Sequence, residues 1–169
     1  MRIGYGWDSH EFQAGVPLKI GGVELPHPKG LAGHSDGDVL LHAITDALLG
    51  AVAAGDIGSY FPPTDPRWKG ADSVIFLEEA LKQVRLAGYK VSNVDSTLIL
   101  AEPKIVPHAK KIQARVADSN LDPNTWKFEW QADPSGAWQA AALHAILRCR
   151  PELAPGSQCH PTPISFAEP

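Results

Sequence analysis

His34-Ser35-Asp36-Gly37-Asp38-Val39-Leu40-Leu41-His42-Ala43-Ile44-Thr45-Asp46-Ala47-Leu48-Leu49-Gly50 runs on through Gly55-Asp56-Ile57-Gly58, with apolar residues at 40, 41, 44, 47, 48, 51 and 52. That spacing predicts an amphipathic helix from about residue 38 to 54, ended by Gly55. Outward from it, Asp72 and Ser73 carry N-cap chemistry, Leu77, Leu81 and Val84 form one apolar face, and Gly88 stands at a C-terminal cap. A second helix over 73–87 follows, and a third is expected from Pro107 to about Asp118. Strand-like runs occupy 2–6, 16–25, 90–101 and 126–132, the last with Trp126, Phe128 and Trp130 alternating. The order is mixed α and β without the regular alternation of a doubly wound sheet, so the class is α+β. Residues 55–70 read as a long loop of the kind that carries function. Residues 136–147 fit a strand or a helix, and the Pro-rich stretch from 151 to 169 is expected to be a poorly ordered tail.

A chain of 169 residues falls in the size range of one domain, here 1–150, and can bury a core without disulfides. A net charge of −4 with no basic block excludes nonspecific nucleic-acid binding, and no run of about 18 apolar residues suggests a membrane span. Any phosphorylated ligand is therefore expected to be small. Cys149 and Cys159 match neither a zinc ribbon nor a disulfide framework and are read as free thiols in the tail. The expected location is the bacterial cytoplasm, or a plastid stroma if a transit peptide has been removed.

The densest polar cluster is Asp8-Ser9-His10 together with His34 to His42. Residues two apart on a strand point to one side, so Asp8 and His10 share a face that His42 on the helix can complete. Two imidazoles and one carboxylate with an open position form the ligand set of a working zinc site. Asp38, His42 and Asp46 recur at four-residue spacing, so a carboxylate is expected to hold the outer nitrogen of His42. Asp36 and Asp38 are equally well read as caps, and Asp56 as an Asx-turn or a partner for a polyol. His34 and Ser35 precede a helix N-terminus, where N–H groups favour phosphate. Lys104 sits on stiff backbone between a strand and a helix. His27, His108, His144 and His160 fit no ligand spacing, and Trp7 is expected to shape the site beside Asp8.

These motifs resemble a known family. Gly4-x-Gly6-x-Asp8-x-His10-x-Phe12, the run from His34 to Gly58, Thr64-Asp65-Pro66, Lys69-Gly70-Ala71-Asp72-Ser73, Asn93-Val94-Asp95-Ser96-Thr97 and Pro103-Lys104-Ile105-Val106-Pro107-His108 are similar to the 2-C-methyl-D-erythritol 2,4-cyclodiphosphate synthase family over about residues 1–117. The resemblance implies a homotrimer whose sheets face inward, with helices on one face and active sites between neighbouring chains. It implies Asp8, His10 and His42 as zinc ligands, with Mg2+ or Mn2+ accompanying the substrate diphosphate. A small cytidine diphosphate substrate would meet Asp8, Ser9, His10, His34, Ser35, Asp56, Ile57, Gly58, Phe61 and Asp65 on one chain. Ala101, Pro103, Lys104, Ile105 and Val106 of the neighbour would hold the cytosine and ribose. The implied reaction is cyclisation with release of CMP, His34 acting at the reacting phosphate. Two features depart from the family. Pro62-Pro63-Thr64-Asp65 stands where a Pro-Asp-Thr-Asp run is usual, and residues 118–150 diverge, with no Thr-Thr-x-Glu after the strand at 126–132. Asp133, with Ser135, is the candidate replacement. A protein that binds zinc and nucleotide without turnover is the alternative that this departure suggests.

Overall fold

The computed structural model describes residues 1–119, 121–122, 124, 126–131 and 140–151, of which 131 and 140–151 are described by their backbone. In chain order the elements are β1 (Arg2–Ala14), β2 (Leu18–Ile20), β3 (Val23–Leu25), β4 (Lys29–Leu31), α1 (Val39–Ala51), α2 (Ile57–Tyr60), α3 (Val74–Leu86), β5 (Tyr89–Ile99), α4 (Ala109–Ala117), β6 (Trp126–Gln131) and β7 (Ala140–Pro151). Single 3-10 turns occupy Pro66–Trp68 and Val106–His108. The main sheet has the order β4-β1-β7-β5-β6, antiparallel except where β5 runs parallel to β6. The α+β class expected from the sequence is the one observed.

The strand β1 extends well past residue 6 because its neighbours demand it. Its register with β7 pairs Arg2 with Cys149 and continues to Glu11 opposite Ala140, after which Phe12 to Ala14 pair with β4. Asp8, Ser9 and His10 have poor strand propensity, but their backbone pairs with residues 143, 142 and 141 of β7, and this context overrides propensity. The same demand decides β7. Its Ala-rich sequence would suit a helix, yet β1 and β5 both pair with it, so a central strand satisfies two rows of N–H and C=O groups. Cys149 accordingly lies within β7 rather than in a tail, and Cys159 lies outside the described residues.

The expected amphipathic helix is more deeply enclosed than its pattern suggests. Of the 13 residues of α1, 11 are buried, because the sheet covers one side and α3 the other. Glycines let it sit close to β1: a Cβ on Gly4 would lie 1.8 Å from the carbonyl oxygen of Ala47, and one on Gly6 1.9 Å from that of Ala43. The core joins Leu40, Leu41, Ile44 and Leu48 of α1 to Leu77 and Leu81 of α3 and Leu98 of β5. On the opposite side of β1, Ile3, Tyr5 and Trp7 are 60%, 57% and 47% exposed. Trp7 therefore points away from Asp8, as period-two alternation requires, and does not shape the site.

Candidate functional site

Two elements deliver three ligand atoms to one point. Strand β1 brings Asp8 and His10, and the first turns of α1 bring His42. Asp8 Oδ2 lies 2.8 Å from His10 Nε2 and 3.0 Å from His42 Nδ1, and the two ring nitrogens are 3.1 Å apart. A tetrahedral zinc with bonds of about 2.0–2.1 Å has ligand-to-ligand edges of roughly 3.3 Å, so this triangle is nearly the right size. Among the described residues, these three form the one group of His, Cys, Asp and Glu whose ligand atoms converge in this way.

The outer ring nitrogens confirm which atoms face inward. His10 Nδ1 lies 2.5 Å from the carbonyl oxygen of Ala32, an acceptor only, so the ring carries its hydrogen there and turns the Nε2 lone pair toward Asp8. His42 Nε2 lies 2.9 Å from both Ser35 Oγ and Ser73 Oγ. The carboxylate expected to hold His42 is therefore replaced by two hydroxyls. Asp38 instead caps α1 by accepting from Leu41 N–H at 3.1 Å, and takes Gly21 and Gly22 N–H at 2.9 and 2.6 Å. Asp46 accepts from Ile57 N–H at 2.7 Å. Four-residue spacing put all three on one helix face, but the β2–β3 turn and the start of α2 reached the two carboxylates first.

The charges follow from these contacts. Burial opposes ionisation of Asp8, but hydrogen bonds and charge from His10 and His42 outweigh it and hold its carboxyl well below the ordinary value. Burial also opposes charge on His10, and the Asp8 contact reverses that and raises it. Asp38 is raised by burial and by the nearby Asp36, against three backbone N–H groups. Asp46 is raised by burial.

A cavity of about 290 Å³ opens over the triangle. His34, Ser35 and Asp46 line its polar side, and Ile57, Gly58 and Phe61 its other wall. Phe61 is fixed by Phe76 and Trp68, with ring centroids 4.3 and 4.9 Å away. His34 Nε2 lies 3.2 Å from the carbonyl oxygen of Asp65, which holds its ring at the rim. At the N-terminus of α1 the Leu41 N–H is taken by the buried Asp38 carboxylate.

Other expected residues take different parts. Ser9 lies on the opposite face of β1, and its N–H donates to Asp8 Oδ1 at 2.8 Å, so it steadies a ligand. The Asp65 carboxylate is engaged by Arg67 at 2.6 to 3.1 Å and does not line the cavity. Asp56 caps α2, both of its side-chain bonds from Ser59 falling on Oδ1 at 2.7 and 2.8 Å. None of residues 101–106 lines this cavity, and Ile105 has no accessible surface. Lys104 and Val106 are exposed. Asp133 and Ser135 lie outside the described residues. Sequence reasoning missed Ser73, Trp68 and Phe76, and for Ser73 the cap signal pointed to another role.

The YgbB family model matches residues 1–125. The chain belongs to the YgbB family. This chain is 68% identical over 117 residues to a 2-C-methyl-D-erythritol 2,4-cyclodiphosphate synthase of Koribacter versatilis, covering 69% of this chain and 76% of that one. A synthase of the same name from Synechococcus sp. is 54% identical over 152 residues, covering 87% and 97%. A solved structure described as this synthase in its CDP-bound form superposes with a TM-score of 0.82 at 39% identity, covering 88% of this chain and all of that one. The stretch matched by the family model spans the triangle residues and the cavity wall at 57–61.

Proposed function

We propose that this chain cyclises 4-diphosphocytidyl-2-C-methyl-D-erythritol 2-phosphate to 2-C-methyl-D-erythritol 2,4-cyclodiphosphate with release of CMP, as a phosphorus–oxygen lyase of non-mevalonate isoprenoid synthesis. The observation that carries this reading is the Asp8, His10 and His42 triangle opening on one cavity, in a YgbB chain whose relatives bear that name. An oxygen of the 2-phosphate forms a bond to the β-phosphorus, and the bond from that phosphorus to the bridging oxygen breaks. The electron pair leaves with CMP. Nucleophile and leaving group belong to one molecule, so the protein must fold the substrate and balance its charge rather than supply a nucleophile.

Asp8, His10 and His42 would hold Zn2+, which supplies Lewis acidity and fixed positive charge beside phosphate oxygens. Mg2+ or Mn2+ would accompany the diphosphate. His34 and Ser35 bind phosphate at the rim, and Ile57 and Gly58 face the methylerythritol unit beside the apolar ring of Phe61. Asp56 keeps Oδ2 for a substrate hydroxyl, since both of its bonds from Ser59 use Oδ1. Ala101, Pro103, Lys104 and Val106 are displayed away from this chain's own cavity, which suits contact with the cytidine held by a neighbouring chain. The exposed row of Ile3, Tyr5 and Trp7 suits a homotrimer with inward-facing sheets.

Phosphorus NMR of the zinc-loaded protein with this substrate and Mg2+ tests the reading. Cyclic diphosphate and CMP should appear together. Linear hydrolysis products, or unchanged substrate, would overturn it.

A further inference from the structure

Ser73 occupies the N-cap of α3 yet makes no side-chain bond to its own helix. An N-cap serine usually stabilises its helix through that bond, so its hydroxyl is turned elsewhere at some cost. Ser73 is fully buried. Its Oγ lies 2.5 Å from Asp36 Oδ1 and 2.9 Å from His42 Nε2. Asp36 also accepts from the Ser73 N–H at 3.2 Å, and Lys19 Nζ stands 3.3 Å from its Oδ2.

The direction of this chain is set at its far end. The Asp36 carboxylate is an acceptor, so the Ser73 hydroxyl donates its one hydrogen there. Ser73 Oγ is then an acceptor toward His42, whose ring must carry its hydrogen on Nε2. The Nδ1 lone pair is left facing Asp8 Oδ2 and His10 Nε2. Ser35, the other hydroxyl on His42 Nε2, also accepts weakly from Gly37 N–H at 3.4 Å. With the Ser73 hydrogen committed to Asp36, the Ser35 hydroxyl keeps its own hydrogen, which can reach Ser73 Oγ, 3.3 Å away, or the cavity that Ser35 lines.

We infer that Asp36 and Ser73 form a positioning relay that aims His42 Nδ1 at the metal position. The inference rests on Asp8, His10 and His42 being the metal ligands.

The test compares wild type, Ser73→Ala, Asp36→Asn and the double variant for Zn2+ affinity by chelator competition, and for the visible absorption of the Co2+-substituted forms. Ser73→Ala should weaken Zn2+ binding roughly 10–100-fold and alter the Co2+ spectrum, because the outer partner of a ligating histidine tunes its orientation and basicity. Its metal-free form should also melt at a lower temperature, since the buried partners Asp36 and His42 lose a hydrogen bond, and the Co2+ spectrum separates that cost from a loss of aim. The double variant should lose no more than the worse single variant, as one relay broken twice. A Ser73→Ala protein with wild-type Zn2+ affinity and Co2+ spectrum overturns the relay. So do losses that add in the double variant, which would mark two separate packing roles. Failure of wild type itself to bind Zn2+ would instead sink the metal reading on which the relay rests.

Discussion

At the scale of single residues, the metal position is a balance of opposed charges. His42→Ala removes one of three converging donors, and zinc content by elemental analysis should fall from about one ion per chain to under about a tenth. An unchanged content would refute the ligand set. Acid and base act on the triangle in opposite senses. Asp8 is depressed below 3.8, so its contribution to stability is present above that pH and lost as pH falls toward its folded value. His10 is raised above 6.5, so its contribution is present below that pH and lost as pH rises through its folded value. Metal-free protein therefore holds both contributions between pH 3.8 and 6.5. Zinc displaces the proton on His10, so the gap in Tm between zinc-loaded and metal-free protein should widen from about pH 5.5 to about pH 8. A constant gap across that range would mean that no proton is displaced. The ligand residues were legible in sequence because alternation on a strand and one helical position suffice to bring them together. Ser73 was not, since a serine before a helix reads as a cap whatever its hydroxyl touches.

At the scale of elements, Asp38 joins α1 to the β2–β3 turn. Its carboxylate holds Leu41, Gly21 and Gly22 N–H groups in a site with no solvent to replace it. Asp38→Ala should cost about 2–4 kcal/mol in chemical denaturation, through lost capping and stranded donors. A loss below about 0.5 kcal/mol would show that water or a shifted turn satisfies them. The sequence pointed to Asp38 as either a cap or a site residue, and the fold assigns it to the cap. Helix positions were legible within a residue or two at 73–87, where apolar period and terminal signals agree, against the observed Val74–Leu86. Strand β7 was not, because an Ala-rich run has no period that separates strand from helix, and the unpaired edges of β1 and β5 lie more than 40 residues away in sequence.

At the scale of the whole molecule, the open face of β1 is the feature that a single chain leaves unexplained. Ile3, Tyr5 and Trp7 present a row of apolar surface, with the Asp8, His10 and His42 triangle on the other face. If three chains close on this face, Ile3→Glu buries a charge in each contact, and light scattering should show single chains in place of trimers. Product formation should fall with it, since residues 101–106 would no longer reach a neighbour's cavity. Trimers that persist with full turnover would put the contact elsewhere. The three longer helices α1, α3 and α4, the grouping of Asp8, His10 and His42, and the family were legible from sequence alone, because each depends on local period or on a short motif. What the tertiary structure decided is where the spare hydrogen-bonding groups go: Asp46 to Ile57, Asp65 to Arg67, Ser73 to His42, and a central strand between β1 and β5. Such choices depend on which partner arrives within about 3 Å in the folded chain, and a one-dimensional pattern carries no record of that distance.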